Sequence, residues 1–389
     1  MRTRSSAEEP LRPSLAAIDG PFSLYVHIPF CLRKCPYCSF YSLPLRRGEE
    51  ERYLSLLERE MLSVLPSLGR RARADTIYIG GGTPTVLTPD QWERLLAHMR
   101  RHVPMAVAPE FTVEANPESL TEKTLALWKD WGVTRVSLGV QSFSDDELRF
   151  LHRPHSADRA RWALSAAADM GFSTSADLIF GLAGQTLRSW TSSLSETLDR
   201  GAVHLSLYQL SLEPGCFWHS RPPGGLPDGY PFYRWSQWYL PRKGFEQYEI
   251  ASFSRPGASC RHNFAYWTGA SVVGLGAGAW GCVEGVRYRN ALSVEEYERL
   301  IGAGEKERLH WEPLPLDRQA REAAVLLLRT AKGIDCEYFA SRYGDEVLED
   351  ILSTVRRDVP GDCLAWRNGG VALSPRGMRV GNAIWSLII

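Results

Sequence analysis

Residues 22–38 read Phe22-Ser-Leu-Tyr25-Val-His27-Ile28-Pro-Phe-Cys31-Leu-Arg-Lys-Cys35-Pro-Tyr37-Cys38. An apolar, β-rich run ends at Ile28, and three cysteines then fall close together on one short loop. Clustered thiols in a chain with only eight cysteines point to metal rather than to a disulfide framework. Three thiolates can hold three corners of a 4Fe-4S cube and leave one iron open. An open iron can be chelated by the methionine part of S-adenosylmethionine (SAM) while an electron passes to its sulfonium. A structural zinc ion with His27 as fourth ligand is the alternative that this spacing alone admits.

The run at Phe22 to Ile28 is the first of six. Asp75 to Ile79, Glu110 to Ala115, Thr134 to Val140, Ser173 to Phe180 and Val203 to Leu210 have the same strand character. Helical spacing fills the gaps, over Glu49 to Leu65, Pro89 to His102, Thr121 to Trp131, Ala157 to Met170 and Ser189 to Arg200. Gly132, Gly171 and Gly201 stand where left-handed helix caps are wanted. Helix-length crossovers require parallel strands, in a closed or partial barrel or in a doubly wound sheet. Residues 211–290, rich in Gly, Pro and aromatics, are expected to complete the wall. From about residue 311 helices and a short strand pair near Leu364 to Leu373 predict a small α+β, winged-helix-like domain. The expected division is a mobile tail over 1–20, the barrel over 21–290, and linker plus small domain over 291–389.

The 389 residues carry 45 Lys plus Arg and 45 Asp plus Glu, so no net field favours nucleic acid or an anionic membrane. The basic N-terminus lacks the apolar run of a secretory signal, and a cytoplasmic protein is expected.

Polar features recur at the carboxyl ends of the strands, where β/α barrels assemble their sites. Gly80-Gly81-Gly82-Thr83-Pro84 follows the second strand, Glu114 ends the third, Gln141 the fourth, and Asp177 lies in the fifth. Carboxylates and amides suit the hydroxyls and amino group of SAM, glycine backbone suits its methionine part, and Arg153 could balance its carboxylate.

These stretches, with Glu-Ala-Asn-Pro from Glu114, Gly-Val-Gln-Ser-Phe from Gly139 and Asp-Leu-Ile-Phe-Gly-Leu from Asp177, resemble the radical SAM family that contains oxygen-independent coproporphyrinogen dehydrogenase and heme chaperones. The resemblance runs from about Leu24 to the C-terminus. It implies a partial (β/α)6 barrel, a cluster on Cys31, Cys35 and Cys38, and cofactor contacts from Tyr25, Tyr37, Gly81, Gly82, Thr83, Glu114, Gln141, Arg153 and Asp177. Within the family the decarboxylating enzymes carry a further cysteine where this chain has Phe40, and a longer N-terminal extension. His262-Asn-Phe-Ala-Tyr-Trp267 is similar to the chaperone pattern, making His262 the candidate heme contact. The implied function is heme binding and delivery to recipient heme apoproteins, with coproporphyrinogen decarboxylation as the alternative. The resemblance also allows a cluster-dependent homodimer and transient membrane association. The chain departs from the family at His152, where glycine is usual, at Ala183, where proline is usual, and at Trp280, where histidine is usual.

Overall fold

A computed structural model describes residues 14–301, 309–367 and 369–389. Six parallel strands form its centre: β1 (Pro21–Ile28), β2 (Arg73–Gly81), β3 (Met105–Ala115), β4 (Arg135–Gln141), β5 (Ser173–Phe180) and β6 (His204–Gln209). Each pair of successive strands is joined through a crossover containing a helix: α1 (Glu49–Val64), α2 (Pro89–His102), α3 (Glu122–Asp130), α4 (Ala157–Asp169) and α5 (Leu187–Asp199). The strands alternate, one set of side chains turned to the helices and one to the barrel interior. On the helix side Ile77, Ile79, Val113, Val136, Leu138, Ala176, Leu178 and Leu205 are buried, and Trp92, Trp128 and Trp190 fill the layer behind them. Helix starts are set locally. Thr88 and Thr186 form capping boxes with Gln91 and Ser189, and Pro89 occupies the first turn of α2.

The sheet does not close. β7 (Ser252–Ser254) pairs antiparallel with β6 and then with Glu246–Gln247, which ends the sheet on that side. On the other side β8 (Val272–Leu275) pairs parallel with β1, and three antiparallel strands, Trp280–Val283, Val286–Arg289 and His310–Glu312, extend the sheet beyond it. The result is a twelve-stranded sheet curled into a partial barrel. Helix α6 (Arg261–Trp267) crosses the foot, where Glu110 in the middle of β3 accepts bonds from the backbone N–H groups of Arg261 (3.2 Å) and His262 (3.0 Å).

The C-terminal domain has its own core, from Ala320 to Ile388. Its order is helix α7 (Leu316–Leu328), strand Ile334–Asp335, helices Cys336–Tyr343 and Asp345–Asp358, then the hairpin Leu364–Arg367 and Gly370–Leu373. That order matches a winged-helix arrangement.

Two expected boundaries move. Residues 1–13 of the expected tail lie outside the described residues, but Leu15 and Ile18 are buried in the barrel core and Asp19 pairs with Arg71, so residues 14–20 belong to the barrel. The boundary at 290 falls too early. Val294, Tyr297, Leu300 and Leu309 pack into the barrel core, and Tyr297 donates to the buried Glu60 carboxylate of α1 at 2.6 Å. The first residue of the second core is Ala320.

Candidate functional site

The expected site residues meet. Tyr25, Cys31, Cys35, Tyr37, Cys38, Gly81, Gly82, Thr83, Glu114, Gln141, Arg153, Asp177 and His262 all line one cavity of about 630 Å³ inside the partial barrel. Its size is that of a small-molecule or cofactor site.

The loop after β1 carries the three thiols, all half-buried. Its course is fixed from both ends. Leu43 and Leu45 donate to the Pro29 and Cys31 carbonyls (2.7 and 2.8 Å), and Trp218 donates to the Pro36 carbonyl (2.9 Å). Thr83 Oγ1 donates to Cys31 Sγ at 3.5 Å and an Arg153 Nη1 donates to Cys35 Sγ at 3.4 Å. Burial pushes the Cys31 and Cys38 thiols above their ordinary range, the opposite of what a nucleophilic cysteine needs, and a bound cation would reverse it.

The donor set fits a cluster better than a lone ion. Among the described residues no three His, Cys, Asp or Glu side chains converge on a single ion position. Zinc, at about 2.3 Å from each sulfur, demands that convergence, whereas thiolates on separate corners of a cube do not. His27 is also unavailable as a zinc ligand. Its Nδ1 bonds with Tyr25 Oη (2.9 Å) and its Nε2 with the Tyr41 carbonyl (3.0 Å), and burial lowers its pKa to about 4.

The glycine loop at the end of β2 is shaped by protein as much as by any ligand. A Cβ on Gly81, whose φ is +118°, would meet the His27 ring at 2.5 Å, and one on Gly82 would meet the Phe30 carbonyl at 2.6 Å. The backbone that results faces the cavity, with Gly82 and Thr83 N–H groups donating to the Ile28 and Phe30 carbonyls (2.8 and 2.7 Å). Gly81 donates to Glu114 Oε2 at 3.0 Å, and Tyr78 Oη donates to Glu114 Oε1 at 2.8 Å.

Glu114 and Asp177 face the same space. Burial raises both carboxyls, and burial plus the Glu114 charge holds Asp177 at about 7. Ligand hydroxyl or ammonium donors would favour the ionised forms. Gln141 ends β4 with φ +65°, a left-handed conformation uncommon outside glycine. Arg153 is anchored by the Gly139 carbonyl (3.2 Å) and Glu118 (3.7 Å), and these neighbours with Tyr37 and Cys35 outweigh burial and keep it firmly charged.

His262 lies at the other end of the cavity. It is 1 % exposed, its Nδ1 bonds with Thr76 Oγ1 at 2.7 Å and its ring stacks on Tyr78. Burial lowers its pKa to about 3, so it is neutral, and Nε2 has no protein partner. An imidazole this enclosed can meet only a ligand inside the barrel. Trp280 lines a neighbouring cavity of about 420 Å³ with Phe40, Tyr41 and Leu292.

Several residues of the site were not foreseen. Asn116 Nδ2 donates to Thr83 Oγ1 at 2.9 Å, and the Glu-Ala-Asn-Pro stretch that contains it is the signal that could have found it. Glu118, which pairs with Arg153 and accepts from His155 Nδ1 at 3.0 Å, stands two residues further on. Arg329 reaches the cavity from the C-terminal domain, and no local pattern marks it.

The radical SAM superfamily description matches residues 25–195. The heme chaperone HemW of Bacillus subtilis is 33% identical over 376 residues, 94% of this chain and 99% of that protein. HemW of Escherichia coli is 38% identical over 270 residues, covering 68% of this chain and 70% of its own length. HemW of Mycobacterium tuberculosis H37Rv is 32% identical, covering 93% of this chain and 95% of that one. The coproporphyrinogen III oxidase HemN from Escherichia coli has the same fold, with a TM-score of 0.83 over 96% of this chain and 91% of that one at 22% identity. A 4Fe-4S cluster and SAM are the cofactors that the superfamily implies, and the cavity fits them. Similarity along nearly the whole length at one-third identity settles the family: the chain belongs to the HemW family within the radical SAM superfamily.

Proposed function

We propose that this protein is a cytoplasmic heme chaperone, which binds heme and hands it to heme-requiring apoproteins. The observation that carries the reading is the one-third identity to proteins named heme chaperone HemW, extending through the C-terminal domain as well as the barrel. Cys31, Cys35 and Cys38 hold the cluster. Tyr25, Tyr37, Gly81, Gly82, Thr83, Glu114, Gln141, Arg153 and Asp177 surround SAM. When bound, the cluster supplies an electron to the SAM sulfonium. Glu114 and Asp177 accept from SAM hydroxyl and ammonium donors, and Arg153 balances its carboxylate. His262 offers heme a neutral imidazole with a free Nε2, the state in which histidine ligates iron. Phe40, 70 % exposed where the decarboxylating enzymes carry a cysteine, speaks against that chemistry.

A cluster-dependent homodimer and a transient membrane contact at delivery complete the proposal, with the exposed Leu32 and Phe40 of the cluster loop as the apolar surface for either encounter. No helix among the described residues is long and apolar enough to cross a membrane. Gel filtration of apo and cluster-loaded protein tests the dimer.

The deciding experiment incubates reconstituted, reduced protein anaerobically with SAM and either heme or coproporphyrinogen III. Stable heme uptake, transfer to a heme-free acceptor and an unchanged porphyrinogen are expected. Decarboxylated porphyrinogen with release of deoxyadenosine would replace the chaperone by the enzyme.

A further inference from the structure

Arg329 follows the last residue of α7 and is the point at which the C-terminal domain is stitched to the barrel. Its carbonyl accepts from Ile250 N–H and Ala331 N–H donates to the Tyr248 carbonyl, both at 2.9 Å. This stitching delivers the guanidinium to the wall of the large cavity, beside Tyr208, Glu249, Asn263 and Trp267. The guanidinium carbon lies 4.4 Å from the ring centre of Trp267, on the barrel, and 4.9 Å from that of Trp385, on the C-terminal helix. Aromatic faces on two sides hold the fork in place and leave its edge free.

No carboxylate among the described residues lies within ion-pair distance of Arg329, and its Nε is buried without a hydrogen-bond partner. Glu249, the acid whose field it feels, accepts instead from Ala251 N–H at 3.1 Å, and burial pushes its carboxyl toward the neutral form. The other cations of the cavity are placed differently. Arg153 is engaged by Gly139, Cys35 and Glu118, Arg135 at the foot by Glu110 and the Ala258 carbonyl, and Arg33 and Lys34 stand in solvent at the mouth. A half-buried guanidinium whose Nε is shut away from water without a counter-charge carries a desolvation cost, and a carboxylate with bidentate geometry is the group that satisfies it best.

We propose that Arg329 binds a carboxylate of a tetrapyrrole inside the barrel, gripping a heme propionate while Trp267 and Trp385 keep its fork oriented. The assignment rests on the heme-chaperone reading and adds to it a second anchor, supplied by the C-terminal domain. Heme suits the position because its carboxylates lie on one edge of an otherwise apolar disc. A merely structural Arg329 would staple the two domains and make no distinction between ligands.

The test compares heme with heme dimethyl ester, whose propionates are uncharged, on cluster-loaded full-length protein. Wild type is expected to bind heme about tenfold or more tighter than the ester, the worth of one charge-assisted pair. Arg329→Met, which keeps an apolar stem between the indoles, should bring that ratio close to one, and Arg329→Lys should keep part of it. A ratio unchanged in R329M, with both ligands weakened alike, would overturn the proposal in favour of a staple. Should R329M not fold, R329K decides: a ratio cut several-fold supports the assignment and an unchanged ratio overturns it. Wild type that binds heme and ester equally removes Arg329 while leaving the chaperone reading intact. Wild type that binds neither removes both.

Discussion

Replacing Asp177 by Asn should alter the pH dependence of folding stability in a direction set by the cavity. Burial and the charge of Glu114 hold the Asp177 carboxyl at about 7, against an ordinary value of 3.8. A carboxyl raised in this way keeps its proton in the folded protein after the unfolded chain has lost it. The stability it contributes is therefore complete below about pH 4 and is lost as the pH rises through about 7. The full gap between the two values corresponds to about 4 kcal/mol. Asp177 borders a cavity wide enough for water, which screens part of that, so about half should be realised. Asn keeps the size of the side chain and the neighbouring Ser137 hydroxyl, which lies 3.5 Å from Oδ1 and can turn to suit an amide. Between about pH 4 and about pH 8 the stability of D177N relative to wild type should consequently grow by about 1–2 kcal/mol. Urea unfolding of the cofactor-free protein across that range measures it, provided the slopes of the two proteins agree. Two profiles running parallel would mean that Asp177 is ionised throughout, and the argument from burial would fail.

Tyr53→Phe removes a buried hydroxyl that donates to the His27 carbonyl (2.8 Å) and accepts from Ala277 N–H (2.9 Å), so it should cost about 2–3 kcal/mol in urea unfolding. A loss under about 0.5 kcal/mol would show that both backbone groups find other partners. His152→Gly relieves a left-handed residue with φ +56° but forfeits the edge contact with Trp218 and adds unfolded-state entropy, leaving a net gain of about 0.5 kcal/mol. A lower melting temperature would mean that the ring contact outweighs the strain. His262→Ala should lower heme affinity by about tenfold while iron and sulfide content stay constant, read by titration and by metal analysis. Identical heme spectra and affinity would remove His262 from the heme site.

The parallel core was legible because its alternation is complete: apolar residues meet the helices, while Glu114, Gln141 and Asp177 line the cavity. Helix α2 was readable end to end because Thr88, Pro89 and Gln91 mark its start within the sequence itself. The beginning of β3 was not. Residues 105–109 include Pro109 and the fully exposed Val107, and a register shift interrupts their pairing with β2 after Ala74. The sheet extension beyond β8 escaped notice because its strands are three or four residues long and gain their order from Tyr288, whose hydroxyl receives Gly274 N–H at 3.0 Å. The burial of His262 depends on Glu110 capping a helix about 150 residues downstream, a contact that no local spacing encodes.

The open barrel gives the C-terminal domain its part in the site. Had β7 paired with the far edge of the sheet, the wall beside Tyr208 would be strand, and Arg329 would have no route to the interior. The chain instead turns back at Glu246–Gln247, and residues 248–250 are left to bond with Arg329 and Ala331 across the domain boundary. A two-residue edge strand presents little backbone for a stray partner to extend, and the domain covers part of what remains. Closure at this side is thus achieved by one isolated antiparallel bridge, Glu249 with Thr330, and by side chains, Trp267 and Trp385 around Arg329, rather than by a continuous strand ladder. A single two-bond bridge with side-chain contacts opens at lower cost than a strand pair embedded in a sheet, so a flat ligand larger than SAM has a physical way in without unfolding the barrel. By this route heme should accelerate neither exchange in β1 to β5 nor loss of the cluster, and hydrogen exchange should quicken only around residues 248–252 and 329–331 in R329M, which keeps the apolar stem but loses the guanidinium's cation–aromatic contacts.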